Sequence, residues 1–108
     1  MGIITLLDDT RITRAAFDRR ISRAKNAMKQ NFIDDKGYLY CVECGKNSSG
    51  CPGIAASHLV STPECVELYF SDMAYDLDNI EPMGQKCHRK FENTPLKIRY
   101  NRFKNKKL

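Results

Sequence analysis

The sequence predicts a small α+β domain with two short extended segments and a helix at its centre and helical segments at both ends. Three observations lead there. Residues 10–30 contain neither Gly nor Pro, and Ile12, Ala15, Ala16, Ala24, Ala27 and Met28 form a weak helical stripe among Arg and Lys. Residues 55–61 and 79–83 read as brief extended segments, the first short, apolar and partly alternating. A helical run from about Gly84 through Asn93 follows the second of these, and Thr94-Pro95 stops it.

In chain order, Asp8-Asp9-Thr10 supplies acids and a capping hydroxyl for a helix start, and Asp34-Asp35-Lys36-Gly37 reads as a turn. Tyr38-Leu39-Tyr40 leads into Cys41-Val42-Glu43-Cys44-Gly45, and the stretch to Gly53 is loop. Ser61-Thr62-Pro63 ends the first extended segment. Residues 64–78 fit either a short helix or an irregular loop. Residues 96–108 are basic, with Ile98, Tyr100 and Phe103, and fit a short final helix. There are no repeats and no low-complexity tract. Three segments result: a basic helical one at 1–37, a core at 38–93 and a basic tail at 94–108.

With 108 residues the chain is one domain, and a domain of this size gains from a structural metal that supports a thin core. No stretch approaches the ~20 apolar residues that span a membrane. The N-terminus lacks the charged start and apolar run of a secretory signal, so a cytoplasmic protein is expected. The net charge of +5 is unevenly placed. Residues 11–29 hold seven basic groups against Asp18, and residues 86–108 hold nine against Glu92. Residues 34–85 hold nine acids against Lys36 and Lys46. Basic ends around an acidic centre suggest a polyanionic partner; solvated helix faces are the plainer alternative.

Five cysteines cannot all pair as disulfides, and in a reducing compartment close cysteines favour metal. Cys41-x-x-Cys44 can point two thiolates at one tetrahedral zinc, and Gly45 permits the tight turn of a knuckle. A redox pair is the rival, but no thioredoxin-like strand–helix pattern surrounds it. His58 stands within the 55–61 segment; Asn79 precedes Ile80-Glu81-Pro82; Cys87-His88 opens a basic helix. Each alone has a bland reading as a satisfied core or surface group.

In this order, between Cys41 and His88, these elements resemble the HNH nuclease family, and particularly its small zinc-containing phage and bacterial members. The resemblance covers residues 38–92, about half of the chain. It implies a ββα-metal core with a zinc knuckle, acting on DNA by phosphodiester hydrolysis in a bacterial or phage-infected cell. It implies that His58 is the general base, suited by a pKa near neutrality. Asn79 would brace the loop and orient that base. His88 would hold a catalytic Mg²⁺ or Mn²⁺ that stabilises the leaving 3′-oxygen.

Two positions depart from the family pattern. Ser57 stands where many members carry Asp or His as a second ligand of the catalytic cation. Gly84 stands where the second zinc knuckle carries its first cysteine. Structural zinc is then expected on Cys41, Cys44, Cys87 and one more thiol, either Cys51 or Cys65, with Cys51 preferred because its loop adjoins the first knuckle. Arg89, Lys90, Arg99, Arg102, Arg19 and Arg23 are candidates for contacts with the DNA backbone. The alternative to an enzyme is a non-catalytic zinc-bearing DNA- or protein-binding module derived from such a nuclease, favoured by Ser57 and Gly84.

Overall fold

The computed structural model describes residues 2–108; the first residue of the 1–37 segment lies outside the described residues. The chain opens with a hairpin that the sequence did not suggest. Strand β1 (Ile3–Thr5) pairs antiparallel with β2 (Arg11–Thr13), Ile4 facing Ile12. Asp8 and Asp9, expected to start a helix, build the turn instead. The Asp8 carboxylate accepts from the Thr10 N–H at 2.9 Å, and Asp9 has a left-handed backbone with φ 68°. Short acidic side chains favour both conformations, and both compete with a helix.

Helix α1 (Arg14–Lys36) therefore begins later, capped by the Thr13 hydroxyl, which accepts from the Ala16 N–H at 3.1 Å. It also outruns its expected end near residue 30. The Gln30 amide donates to the Asp34 carboxylate at 2.9 Å, and nothing breaks the helix before Gly37. Gly37 ends it with φ 91°, its N–H donating to the Ile33 carbonyl.

Strand β3 (Ala55–His58) is shorter than expected and pairs antiparallel with β4 (Ile80–Met83), from Ala55 opposite Met83 to His58 opposite Ile80. Between them lie helix α2 (Thr62–Glu67) and two 3₁₀ turns, Ser71–Tyr75 and Leu77–Asn79. Ser61 does more than end a strand. Its hydroxyl accepts from the Glu64 N–H while Glu64 accepts from the Ser61 N–H, a reciprocal cap that starts α2. Helix α3 (Gln85–Glu92) follows β4 directly, and α4 (Leu96–Asn105) starts after Pro95.

Residues opposite each other in a sheet share a face. The face carrying Ile80, with Ala56 beside it, is covered by Ala24 and Met28 of α1. Every residue of β4 is buried, Glu81 included. The Glu81 carboxylate is met by Arg102 and Lys106 of α4, each at 2.7 Å, which ties α4 to the sheet. The larger core joins Ile4 and Leu6, Phe17 and Ile21, Leu59, Met83 and Phe103. The three segments distinguished by charge thus share one core. No helix of the described residues is long and apolar enough to cross a membrane.

Candidate metal centre and active-site cleft

Cys41, Cys44, Cys51 and Cys87 converge from the 41–51 loop and the first turn of α3, their sulfurs all within 4.8 Å of one another. Zn–S bonds of about 2.3 Å in a tetrahedron set the sulfurs about 3.8 Å apart. The Cys51 and Cys87 sulfurs are 3.8 Å apart and all five cysteines are free thiols. A four-thiol cluster of this size fits a zinc ion and is more than a redox pair needs. Among the described residues no other group of three or more such donors is this close.

The local backbone is built for the cluster. Gly45 turns the chain at φ 73°, its N–H donating to the Cys41 carbonyl at 2.7 Å. Burial alone would raise the Cys41 thiol, but backbone N–H groups of Gly84, Cys44 and Glu43 outweigh it and bring the pKa down to about 7. Burial first, and then contacts with neighbouring thiols, push Cys87 up to about 12, and burial with the Cys44 and Cys41 contacts also raises Cys51, whereas a cation among them would favour the thiolates. Cys65 lies elsewhere. It donates to the Val60 carbonyl, and burial raises it to about 12.

His58 ends β3, and its Nε2 lies 2.7 Å from the Ala74 carbonyl oxygen. A carbonyl only accepts, so Nε2 carries the proton and Nδ1 keeps a lone pair. Burial depresses the His58 pKa, the charges of Lys25 and His88 depress it further, and the Ala74 bond only partly opposes them. The neutral ring is therefore favoured, with Nδ1 free to accept a proton.

Asn79 is fully buried and uses both ends of its amide. Its Oδ1 accepts from the Val60 N–H at 2.8 Å, and Nδ2 donates to the Val60 and Met73 carbonyls, each at 3.0 Å. Met73 adjoins Ala74. One side chain thus fixes the exit of β3 and the segment whose next carbonyl sets the His58 tautomer. Asn79 makes no hydrogen bond to His58 itself; those bonds go to the backbone at Val60 and Met73.

His58 and His88 line one cleft of about 400 Å³, with Lys25, Ser61, Glu92 and Arg99 also on its wall. His88 Nδ1 lies 3.4 Å from a Glu92 carboxylate oxygen one turn along α3. Ser57 is buried, and its hydroxyl donates to the Ala55 carbonyl at 3.3 Å, so it is turned into its own strand. No family model matches this chain, and no curated protein or solved structure matches it.

The basic candidates divide in two. Arg99 is buried, donating bidentately to Glu64 at 2.7 and 2.9 Å and also to the Thr94 and Leu59 carbonyls. Arg102 is held between Glu43 and Glu81. Lys106 and Lys107 pair with Glu81, Asp76 and Asp78. Much of the basic tail is thus neutralised by the acidic centre. Arg19, Arg23, Arg89 and Lys90 are exposed and form no ion pair among the described residues. The sequence reading missed two cleft residues. Glu92 could have been found from its i,i+4 spacing to His88, which puts both on one helix face. Lys25 gave no local signal, because it reaches the cleft by the docking of α1.

Proposed function

We propose that the chain is a zinc-bearing, metal-dependent endonuclease of the HNH type that hydrolyses DNA phosphodiester bonds, by cleavage or nicking. The observation that carries this reading is His58, its Nε2 anchored 2.7 Å from the Ala74 carbonyl oxygen, sharing a cleft with His88 and Glu92. A base held neutral, with one nitrogen anchored and the other free, suits proton abstraction from water. His88 and Glu92 together are the donors that would hold Mg²⁺ or Mn²⁺; such ions are commonly bound by one or two protein groups, waters and substrate phosphate. That ion, when bound, would supply charge stabilisation at the scissile phosphate and the leaving 3′-oxygen. His58 Nδ1 takes the proton as the water oxygen bonds to phosphorus and the P–O3′ bond breaks. Asn79 keeps the base aimed. Cys87 and His88 are neighbours on α3, so the zinc cluster fixes the turn that carries the cation-binding residues.

The turned-in Ser57 hydroxyl favours a second reading, a non-catalytic zinc-bearing binding module, because it leaves the cleft one ligand poorer than the family pattern. Plasmid DNA incubated with the purified protein separates the two. Nicked or linear product that requires added Mg²⁺ or Mn²⁺ and disappears in His58→Ala supports the enzyme. DNA binding without product under any divalent cation supports the module.

A further inference from the structure

Helix α1 buries the line of residues that faces the β3–β4 sheet. Ala24 and Met28 are buried against Ile80 of β4, and Ile21, buried one turn before them, belongs to the larger core. Lys25 lies on the same line, one turn after Ile21 and one turn before Met28. A lysine in an apolar seam is out of place unless its charge is answered. No carboxylate answers it: Lys25 is half-buried and enters no ion pair or hydrogen bond among the described residues. Of the other α1 cations, Arg14 pairs with Asp18 and Arg20 donates to the Tyr75 hydroxyl, while Arg19, Arg23 and Lys29 are also unpaired among the described residues but stand away from the cleft. Instead, Lys25 lines the cleft that holds His58 and His88. His58 also faces this side of the sheet, because it pairs with Ile80, on which Ala24 and Met28 rest.

We infer that Lys25 binds a phosphate of the DNA strand lying in this cleft, which makes α1 a third wall of the substrate site. The inference rests on the nuclease reading for its ligand and adds a residue from outside the stretch that resembles the family. The apolar stem packs along the helix seam while the ammonium remains for an anion arriving between α1, β3 and α3. A phosphate oxygen meets that need: it is anionic, and it must come within reach of His58 for hydrolysis.

The test uses the zinc-loaded full chain and a short fluorescein-labelled DNA duplex, with binding read by anisotropy across a salt series without added divalent cation. Lys25→Met keeps the stem and removes the charge. It should weaken binding on the order of tenfold and reduce the slope of log K against log salt by about one unit. Its melting temperature should hold, because the stem that packs along α1 is kept and the ammonium it loses makes no ion pair among the described residues. Lys25→Arg should keep the wild-type slope. An unchanged slope and affinity in Lys25→Met, or a fall in melting temperature with the slope intact, overturns the inference. Cleavage is scored separately with Mn²⁺. A Lys25-dependent slope without cleavage leaves this inference standing and removes the nuclease reading; cleavage with an unchanged slope does the reverse. A wild-type chain that binds no DNA overturns both.

Discussion

A Cβ placed on Gly84 would lie 2.0 Å from the Sγ of Cys51, so the loop thiol fills the volume that any side chain at position 84 would need. Position 84 and the Cys51 side chain thus compete for one volume; on the HNH reading proposed above, Cys51 from the 41–51 loop takes the place of the cysteine that the family pattern puts at position 84. Purified without added metal, the protein should contain about one zinc per chain. Gly84→Ala should lose most of it, since the new methyl and the Cys51 sulfur cannot both be accommodated. Elemental analysis beside a thermal melt checks this; a zinc-replete Gly84→Ala protein of wild-type stability would refute it.

The two candidate fourth thiols should behave differently. Cys51→Ser should release zinc and loosen the whole domain, because binding energy at such a site is also folding energy. Cys65→Ala should keep zinc and lose only packing near Asn79, roughly 1–2 kcal/mol. Zinc content measured across the pair decides it; loss of zinc from the Cys65 variant would be the contrary result.

Asn79 makes a prediction that does not depend on any reaction. Removing its amide leaves the Val60 N–H and the Val60 and Met73 carbonyls without these partners in a buried setting. Asn79→Ala should cost about 2–4 kcal/mol by denaturant unfolding, on the scale of buried groups left unpaired. Asn79→Asp keeps the acceptor for Val60 but loses both donated bonds and buries a charge, so it should not rescue. Full stability in either variant would remove Asn79 from its bracing role.

What could be read from the sequence follows from how local each signal is. The Cys41–Cys44 knuckle, the 79–83 segment and α3 depend on neighbours in the chain, and they stand where expected. The β1–β2 hairpin was missed because its turn rests on Asp8 and Asp9, whose capping and turn habits look alike in sequence. The fate of the basic tail was not readable either. Arg99 and Arg102 look like free cations until α4 folds against Glu64, Glu43 and Glu81. Charge patterning reports composition along the chain, whereas ion pairing is decided by tertiary approach.

The Glu64–Arg99 pair should set part of the acid unfolding. Hydrogen bonds from Arg99 hold the Glu64 carboxyl down at about 2, from an ordinary 4.5. A depressed carboxylate contributes its full stability above the unfolded value and loses it as pH falls toward the folded one. Stability should therefore drop between about pH 4.5 and 2 through this group. Zinc release in acid affects wild type and variant alike, so their difference is the readout. Glu64→Gln should be less stable at neutral pH and show a shallower acid limb. A parallel acid limb in the two proteins would show that the pair contributes nothing there.

The active-site prediction turns on the state of His58. Burial lowers its pKa below the ordinary 6.5, so the ring is neutral through the physiological range and gains a proton only in more acid solution. Stability and rate share a sign here. The stability of the buried neutral ring is complete above pH 6.5 and declines as pH falls below it, toward the depressed folded value. The acid limb of kcat/KM should likewise lie below 6.5, with activity flat as pH passes through that value from above. His58→Ala should lose cleavage by on the order of 10²–10⁴-fold while keeping zinc and DNA binding. His88→Ala and Glu92→Gln should also lose cleavage, but part of their deficit should ease as Mn²⁺ is raised, since weakened ion affinity yields to mass action. His58→Ala should show no such relief, because no concentration of cation replaces a base. An acid limb above 6.5 would mean that His58 is not the titrating base. Equal residual cleavage in all three variants, indifferent to Mn²⁺, would mean that the activity belongs to a contaminant.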